Sequence, residues 1–374
     1  MAGLYLHVPF CKQACYYCDF HFSVNAQRQH DMVEAMCREL RLQAGYLGGE
    51  TLETVYFGGG TPSLLTPAQL EQLLAQARAL HPIAPEAEIT LEANPDDLSP
   101  NALEQWRGAG INRLSIGIQS FHDPHLRFMN RAHSASEAAR CVAEAQAAGF
   151  ANISIDLIYG IPAPDHRVWK ADLAQALGLG VQHLSAYCLT IEPDTVFGRW
   201  AKQGKLPPID DDFAAVQFEM LLQALDVAGF EQYEISNACL PGFESRHNSS
   251  YWRGVPYLGI GPSAHSFNGH SRQWNVAHNQ RYIKALEQDE LPFEEEHLDR
   301  EAQINDYLLT SLRTKWGTDL GHLRRRWGFD LERERAQALR QCLEAGHAER
   351  LGDVLRLTRA GKLLADHITA QLMA

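Results

Sequence analysis

The chain has 374 residues, of which 45% are hydrophobic and 21% charged, enough for one large globular unit with a smaller one attached. A net charge of −13 and a pI near 5.7 exclude the basic surface that non-specific binding to nucleic acid or anionic lipid requires. No apolar run approaches the roughly 20 residues of a membrane span. The start, Met1-Ala2-Gly3-Leu4-Tyr5-Leu6-His7, lacks the basic and apolar regions of a signal peptide, so a cytoplasmic protein is expected.

In chain order, β-rich runs at 4–8, 54–57, 88–92, 113–118, 152–158 and 183–189 alternate with helical patterns at 31–47, 67–80, 99–108, 134–148 and 166–178. Gly110 and Gly149 fall where helices end. The strands are apolar and β-branched, as expected when both faces are covered. Six βα units in series predict a parallel sheet with right-handed crossovers, an α/β partial barrel short of the eight-unit closed form. Its chemistry belongs at the C-terminal ends of the strands. After residue 190 the alternation fades at Pro193, Pro207 and Pro208, and a helix over 211–228 follows. The expected organisation is a core over 1–236, a polar, aromatic and His-rich connecting segment over 237–290, and a mostly helical, winged-helix-like domain over 291–374 with a short β-pair near 347–357. From Thr318 onward ten Lys/Arg face eight Asp/Glu, so that domain has no basic patch and a packing or docking role suits it better than DNA binding.

Three of the eight cysteines, Cys11, Cys15 and Cys18, crowd into one loop after the first strand. Cys37, Cys141, Cys188, Cys239 and Cys342 are scattered singly and read as small buried hydrophobes; Cys37 shares a helical register with Val33, Met36 and Leu40. Three thiolates within eight residues can converge on one soft metal centre. A structural zinc site wants four closed ligands, and no second cysteine cluster exists to complete it. A [4Fe–4S] cube also needs four ligands, so three cysteines leave one iron open to an exchangeable one. Further polar groups sit at later strand ends: Gly58-Gly59-Gly60-Thr61, then Glu92, Gln119 and Asp156, with Arg131 one helical stretch beyond Gln119. Three glycines permit close backbone approach.

Cys-x3-Cys-x-aromatic-Cys after the first strand resembles the signature of the radical S-adenosylmethionine (SAM) superfamily. The resemblance implies that the open iron is chelated by the amino and carboxylate groups of SAM, whose reductive cleavage yields a 5′-deoxyadenosyl radical. An electron donor such as flavodoxin or ferredoxin would then be a partner. Over nearly the whole chain the motifs are similar to one branch, the oxygen-independent coproporphyrinogen III oxidases and their heme-chaperone relatives. By motif, Tyr5, Tyr17, Gly59, Gly60, Thr61, Glu92, Gln119, Arg131 and Asp156 correspond to SAM contacts. That branch has a proposed second SAM, and Thr190 and His265 fall at second-site positions.

Two departures separate the chain from the oxidases. Their pattern has a further cysteine two residues after the third, where this chain has Phe20. They also carry an N-terminal extension, and here the cysteine motif begins at residue 11. His247-Asn248-Ser249-Ser250-Tyr251-Trp252 resembles an element of the chaperone side of the branch. An imidazole is a common axial ligand of heme iron, so His247 is the expected heme residue, with His265 and His270 next. The expectation is a heme-binding protein that passes heme to an acceptor hemoprotein. The alternatives are a coproporphyrinogen III oxidase and, less compatible with the acidic charge, an RNA-directed radical SAM enzyme.

Overall fold

A computed structural model of the chain describes residues 1–374. Six parallel strands form the central sheet: β1 (Ala2–Val8), β2 (Leu52–Gly59), β3 (Ile83–Ala93), β4 (Arg113–Gln119), β5 (Ile153–Tyr159) and β6 (His183–Cys188). Helices α1 (Gln29–Leu42), α2 (Pro67–Leu80), α3 (Pro100–Ala109), α4 (Ala135–Ala147) and α5 (Arg167–Gly178) make the crossovers. Local chemistry sets their limits. Thr66 with Gln69 and Ser134 with Glu137 form capping boxes on α2 and α4, and Gly110 ends α3 in the left-handed conformation. The first helix stops at Leu42, five residues before its expected end, and successive turns carry the chain on to Gly48 and Gly49, at φ 60° and 81°.

The strands alternate more strictly than their apolar composition suggests. Leu4, Leu6, Val55, Phe57, Leu91, Leu114, Ile116, Ile155 and Leu184 face the helices and are buried in one apolar core. Their neighbours Tyr5, Tyr56, Glu92, Ser115, Asp156 and Ser185 face the other way and line a polar half-barrel interior. Only the outer face is apolar, which corrects the expectation of two apolar faces.

Helix α6 (Asp211–Ala228) precedes β7 (Glu231–Glu234) and β8 (Asn237–Cys239), which add antiparallel beyond β6. Helix α7 (Arg246–Trp252) follows, and then β9 (Tyr257–Ile260) pairs parallel with the free edge of β1. Strands β10 (His265–Phe267), β11 (Ser271–Asn275) and β12 (Phe293–His297) extend that edge antiparallel, with α8 (Asn279–Leu286) between the last two. Most of 237–290 is thus built into the same twelve-stranded sheet as the core.

Residues from Arg300 onward have their own apolar core. Helices α9 (Arg300–Leu312), α10 (Leu320–Trp327), α11 (Ala336–Glu344) and α12 (Ala365–Leu372) pack with a small sheet of β13 (Thr318–Asp319), β14 (Ala348–Leu351) and β15 (Val354–Leu357). This domain is clasped to the core: Arg313 meets the buried carboxylate of Glu234 at 2.6 Å, and Lys315 bridges Glu231 and Glu244 at 2.6 and 2.8 Å. No helix is long and apolar enough to cross a membrane.

Candidate functional site

The cysteine loop leaves β1 at Pro9 and is pinned on three sides. Cys11 N–H donates to the Ser23 carbonyl (3.0 Å) and Ser23 N–H to that of Pro9 (2.9 Å). From the β2 side, Gly60 N–H donates to Val8 O (2.9 Å) and Thr61 N–H to Phe10 O (2.7 Å). From the segment after β4, Asn130 Nδ2 donates to Ala14 O at 2.7 Å, while Lys12 pairs with Asp96 at 2.8 Å and with Asp97. The glycine run permits this seating. A Cβ on Gly60 would lie 2.7 Å from Phe10 O and 2.8 Å from Val8 O, and Gly59 holds φ 103° with the His7 ring at 2.6 Å from any Cβ. The absence of side chains at Gly59 and Gly60 thus lets the β2 end approach the backbone of the cysteine loop closely.

The three thiols are half-buried and unpaired. Burial first, and then the neighbouring thiols, push Cys11 up to about 11 and Cys18 up to about 12. The Thr61 hydroxyl acts in the other direction on Cys11. A metal centre would displace these protons and couple its binding to the fold of the loop. No three His, Cys, Asp or Glu side chains converge where a single ion could sit, the three cysteines included. A cube instead takes each thiolate on its own iron corner, and three soft donors on one pinned loop fit that group.

Around the loop the inner strand ends gather the expected polar residues. Arg131 donates through Nη1 to Cys15 Sγ (3.2 Å) and through Nη2 to Asn94 Oδ1 (2.6 Å) and Gly117 O (2.7 Å). Its Nε is buried without a partner. Glu92 accepts from Tyr56 OH (2.8 Å) and Gly59 N–H (3.2 Å), and burial raises its pKa to about 7. Asp156 is raised to about 6 by burial, while the neighbouring Ser185 and Ser115 hydroxyls and the charges of Arg113 and Arg131 act in the other direction. Gln119 ends β4 at φ 67°, a left-handed backbone rare for a residue with a Cβ. Tyr5 stacks on Tyr56 with centroids 6.1 Å apart and shares a hydrogen bond with His7 Nδ1 at 3.2 Å. Tyr17 is half-buried beside Arg131, Cys15, Cys18 and Asp156. An unsatisfied guanidinium nitrogen and two carboxylates of raised pKa suit a ligand carrying both a carboxylate and cationic groups, as SAM does. Sequence reasoning misses Asn94, Tyr56, Ser115 and Ser185. Their signal is the inward register of the strands, with Asn94 in the same Leu91–Pro95 motif as Glu92.

His247 does not lie in an open site. Its ring is 1% exposed, Nδ1 sits 2.7 Å from Thr54 Oγ1 and Nε2 sits 2.7 Å from Tyr251 OH. It stacks on Tyr56 at 4.9 Å, and its backbone N–H donates to Glu88 at 3.1 Å. Both nitrogens are engaged within the protein here, and His247 packs behind Tyr5 and Tyr56. Thr190 is exposed in the loop after β6.

On the far side of the cysteine loop opens a cleft of about 960 Å³, at the upper end of cofactor-sized pockets. One wall is the sheet extension, with Tyr257, His265, Phe267 and Arg272; the facing wall comes from α9 and α10, with Tyr307, His322, Arg326 and Trp327. Tyr5, His7 and Tyr251 close the back, and Asp19, Phe20 and His21 of the cysteine loop form the rim.

Comparison with known proteins agrees with this geometry. Residues 5–172 match the radical SAM superfamily, and residues 298–364 match the HemN C-terminal domain. A Mycobacterium tuberculosis protein named heme chaperone HemW is 40% identical over 376 residues, 99% of this chain and 94% of that one. The Bacillus subtilis protein of the same name is 33% identical over 98% of both chains. The solved structure of Escherichia coli coproporphyrinogen III oxidase (HemN), a radical SAM enzyme, superposes with a TM-score of 0.86 over 100% of this chain and 90% of that one. Its 24% identity speaks for the fold alone. The chain belongs to the radical SAM superfamily and, within it, to the HemW family.

Proposed function

We propose that this protein is a heme chaperone: it holds one heme in the cleft and passes it to an acceptor hemoprotein in the cytoplasm. The cleft carries this reading, because it presents aromatic walls at the scale of a macrocycle directly beside the cysteine loop. The names of the HemW relatives point the same way. Phe20 supports it too: where the oxidase pattern has a cysteine, an apolar ring stands 68% exposed at the cleft rim.

Cys11, Cys15 and Cys18 would hold a [4Fe–4S] cluster, and Tyr5, Tyr17, Gly59, Gly60, Thr61, Glu92, Gln119, Arg131 and Asp156 would surround SAM at its open iron. Bound together, cluster and SAM supply one-electron chemistry, given a donor such as flavodoxin or ferredoxin. The chain's own residues bind and orient. Arg131 ties the loop to β4 and offers its free Nε to a carboxylate. Glu92 and Asp156 offer carboxylates that ionise as positive charge arrives. Tyr5, Tyr56 and His247 wall the interior off from water.

Anaerobic reconstitution followed by hemin titration tests the reading. About one heme per chain should bind, with no conversion of coproporphyrinogen III under reducing, SAM-replete conditions. Robust turnover of coproporphyrinogen III without heme binding would return the chain to the oxidases.

A further inference from the structure

We propose that the groove between the core and the C-terminal domain is a binding site for a phosphate-class oxyanion, with the Lys362 ammonium as its main donor and Arg356 beside it. The groove encloses about 520 Å³. That is within the range of small-molecule sites, which favour domain interfaces. Its core wall is the end of α6 and the start of β7, where Leu222, Leu225 and Phe230 supply apolar surface. Its other wall runs from Arg356 in β15 through the turn at Arg359–Lys362. It shares no lining residue with the cleft beside the cysteine loop, so this site stands independently of the heme reading.

Four cations and three carboxylates line the groove, and each carboxylate is already taken. Glu231 accepts from Lys315 at 2.6 Å, Glu349 from Arg356 at 2.7 Å and Asp226 from Arg359 at 2.9 Å. Lys362 is the cation left over. Its Nζ donates to the neutral Gln232 Oε1 at 2.8 Å and to no carboxylate, although the side chain is half-buried. Burial, and then the Arg356 and Arg359 guanidinium groups, lower its pKa. Asp226 and Glu234 act in the other direction, but Arg359 and Arg313 already hold them. A partly desolvated ammonium beside two guanidinium groups carries a cost that an anion would remove. The donors for that anion are present. Nζ keeps further hydrogens after the Gln232 bond. Arg356 spends Nε and Nη2 on a single Glu349 oxygen, which leaves Nη1. Convergent cationic donors match the oxygens of a tetrahedral oxyanion, and the apolar wall leaves room for an organic body attached to it.

The test titrates the reconstituted full chain, at constant ionic strength, with inorganic phosphate and with phenyl phosphate. Calorimetry should show a single site per chain for each, and Tm should rise by about 1–3 °C at phosphate about tenfold above its Kd. Lys362→Gln should weaken both ligands about tenfold and Arg356→Gln about threefold or more. Lys170→Gln, exposed on α5, should bind both as the wild type does. Any rise in Tm that persists in Lys362→Gln measures the general stabilisation by phosphate salts and is subtracted. Tighter binding of phenyl phosphate marks an organic monoester as the occupant, and equal binding marks free phosphate. The anion-free protein gives a further readout: Lys362→Met should unfold at no lower a temperature than the wild type, because it removes an unpaired charge. Binding heats and Tm shifts in the wild type no larger than those of Lys362→Gln overturn the proposal. So does a lowered Tm in Lys362→Met together with no phosphate binding by the wild type, which would make Lys362 a clasp on Gln232 and nothing more.

Discussion

Arg131 donates a hydrogen bond to Cys15 Sγ at 3.2 Å across 116 residues of sequence, while its other arm holds Asn94 and the Gly117 carbonyl. One side chain thus couples the cysteine loop to the ends of β3 and β4.

Arg131→Lys keeps the charge but cannot span three acceptors with a single ammonium. Reconstituted Arg131→Lys should therefore hold less iron and sulfide than the wild type. Its reduced cluster should also lose most of the change that SAM makes to the electron paramagnetic resonance spectrum. A full cluster with a normal SAM response would show that the guanidinium is dispensable.

Gly60→Val places atoms against the backbone of Val8 and Phe10, which cannot rotate away as a side chain would. The cysteine loop must shift, at a cost of about 1–3 kcal/mol, the range seen for overpacked sites. Chemical denaturation should show that loss together with incomplete cluster assembly. Gly45→Ala, whose added methyl meets nothing within 4 Å, is the matched control and should be close to neutral.

Glu92 carries a pKa raised by burial from 4.5 to about 7. Between those values the folded chain keeps a proton that the unfolded chain has lost, so this group's contribution to stability falls as pH rises from about 4.5 to 7 and levels off above. A bound sulfonium and ammonium would favour the carboxylate. SAM affinity should therefore rise with pH up to about 7, with protons released on binding. Glu92→Gln should flatten both trends. Calorimetry in buffers of different ionisation enthalpy reads the proton count, and an unaltered pH profile in the variant would place the titrating group elsewhere.

His247→Ala removes a buried ring and leaves the Thr54 and Tyr251 hydroxyls without it. A loss of about 2–4 kcal/mol is expected, the sum of a cavity and broken hydrogen bonds. The Soret band of whatever heme the variant binds should be that of the wild type. A changed heme spectrum in a variant of unchanged stability would identify His247 as a ligand.

The six parallel strands are legible in the sequence because a short β-branched run between two helical periods fits a buried strand and little else. Helix α6 falls where its pattern predicts, at Asp211–Ala228. The cysteine loop is legible because its spacing is local. What the sequence hides is set at long range. Thr54 and His247 are 193 residues apart, and nothing near either predicts that one occupies the other's ring nitrogen. Strands β10 and β11, of three and five residues and rich in polar side chains, carry little periodic signal; they are strands because β9 covers the free edge of β1 and leaves an edge of its own. The cleft itself joins residues from 5 to 327, and so cannot be read from any one motif.

The most direct measurement of the central claim is heme transfer. Reconstituted protein loaded with one equivalent of hemin is mixed with an apo-hemoprotein, and the acceptor's Soret spectrum is followed with time. The account predicts stoichiometric loading and movement of heme to the acceptor, with no consumption of coproporphyrinogen III in a parallel assay. A protein that takes up no heme, and instead decarboxylates coproporphyrinogen III with SAM, would contradict it.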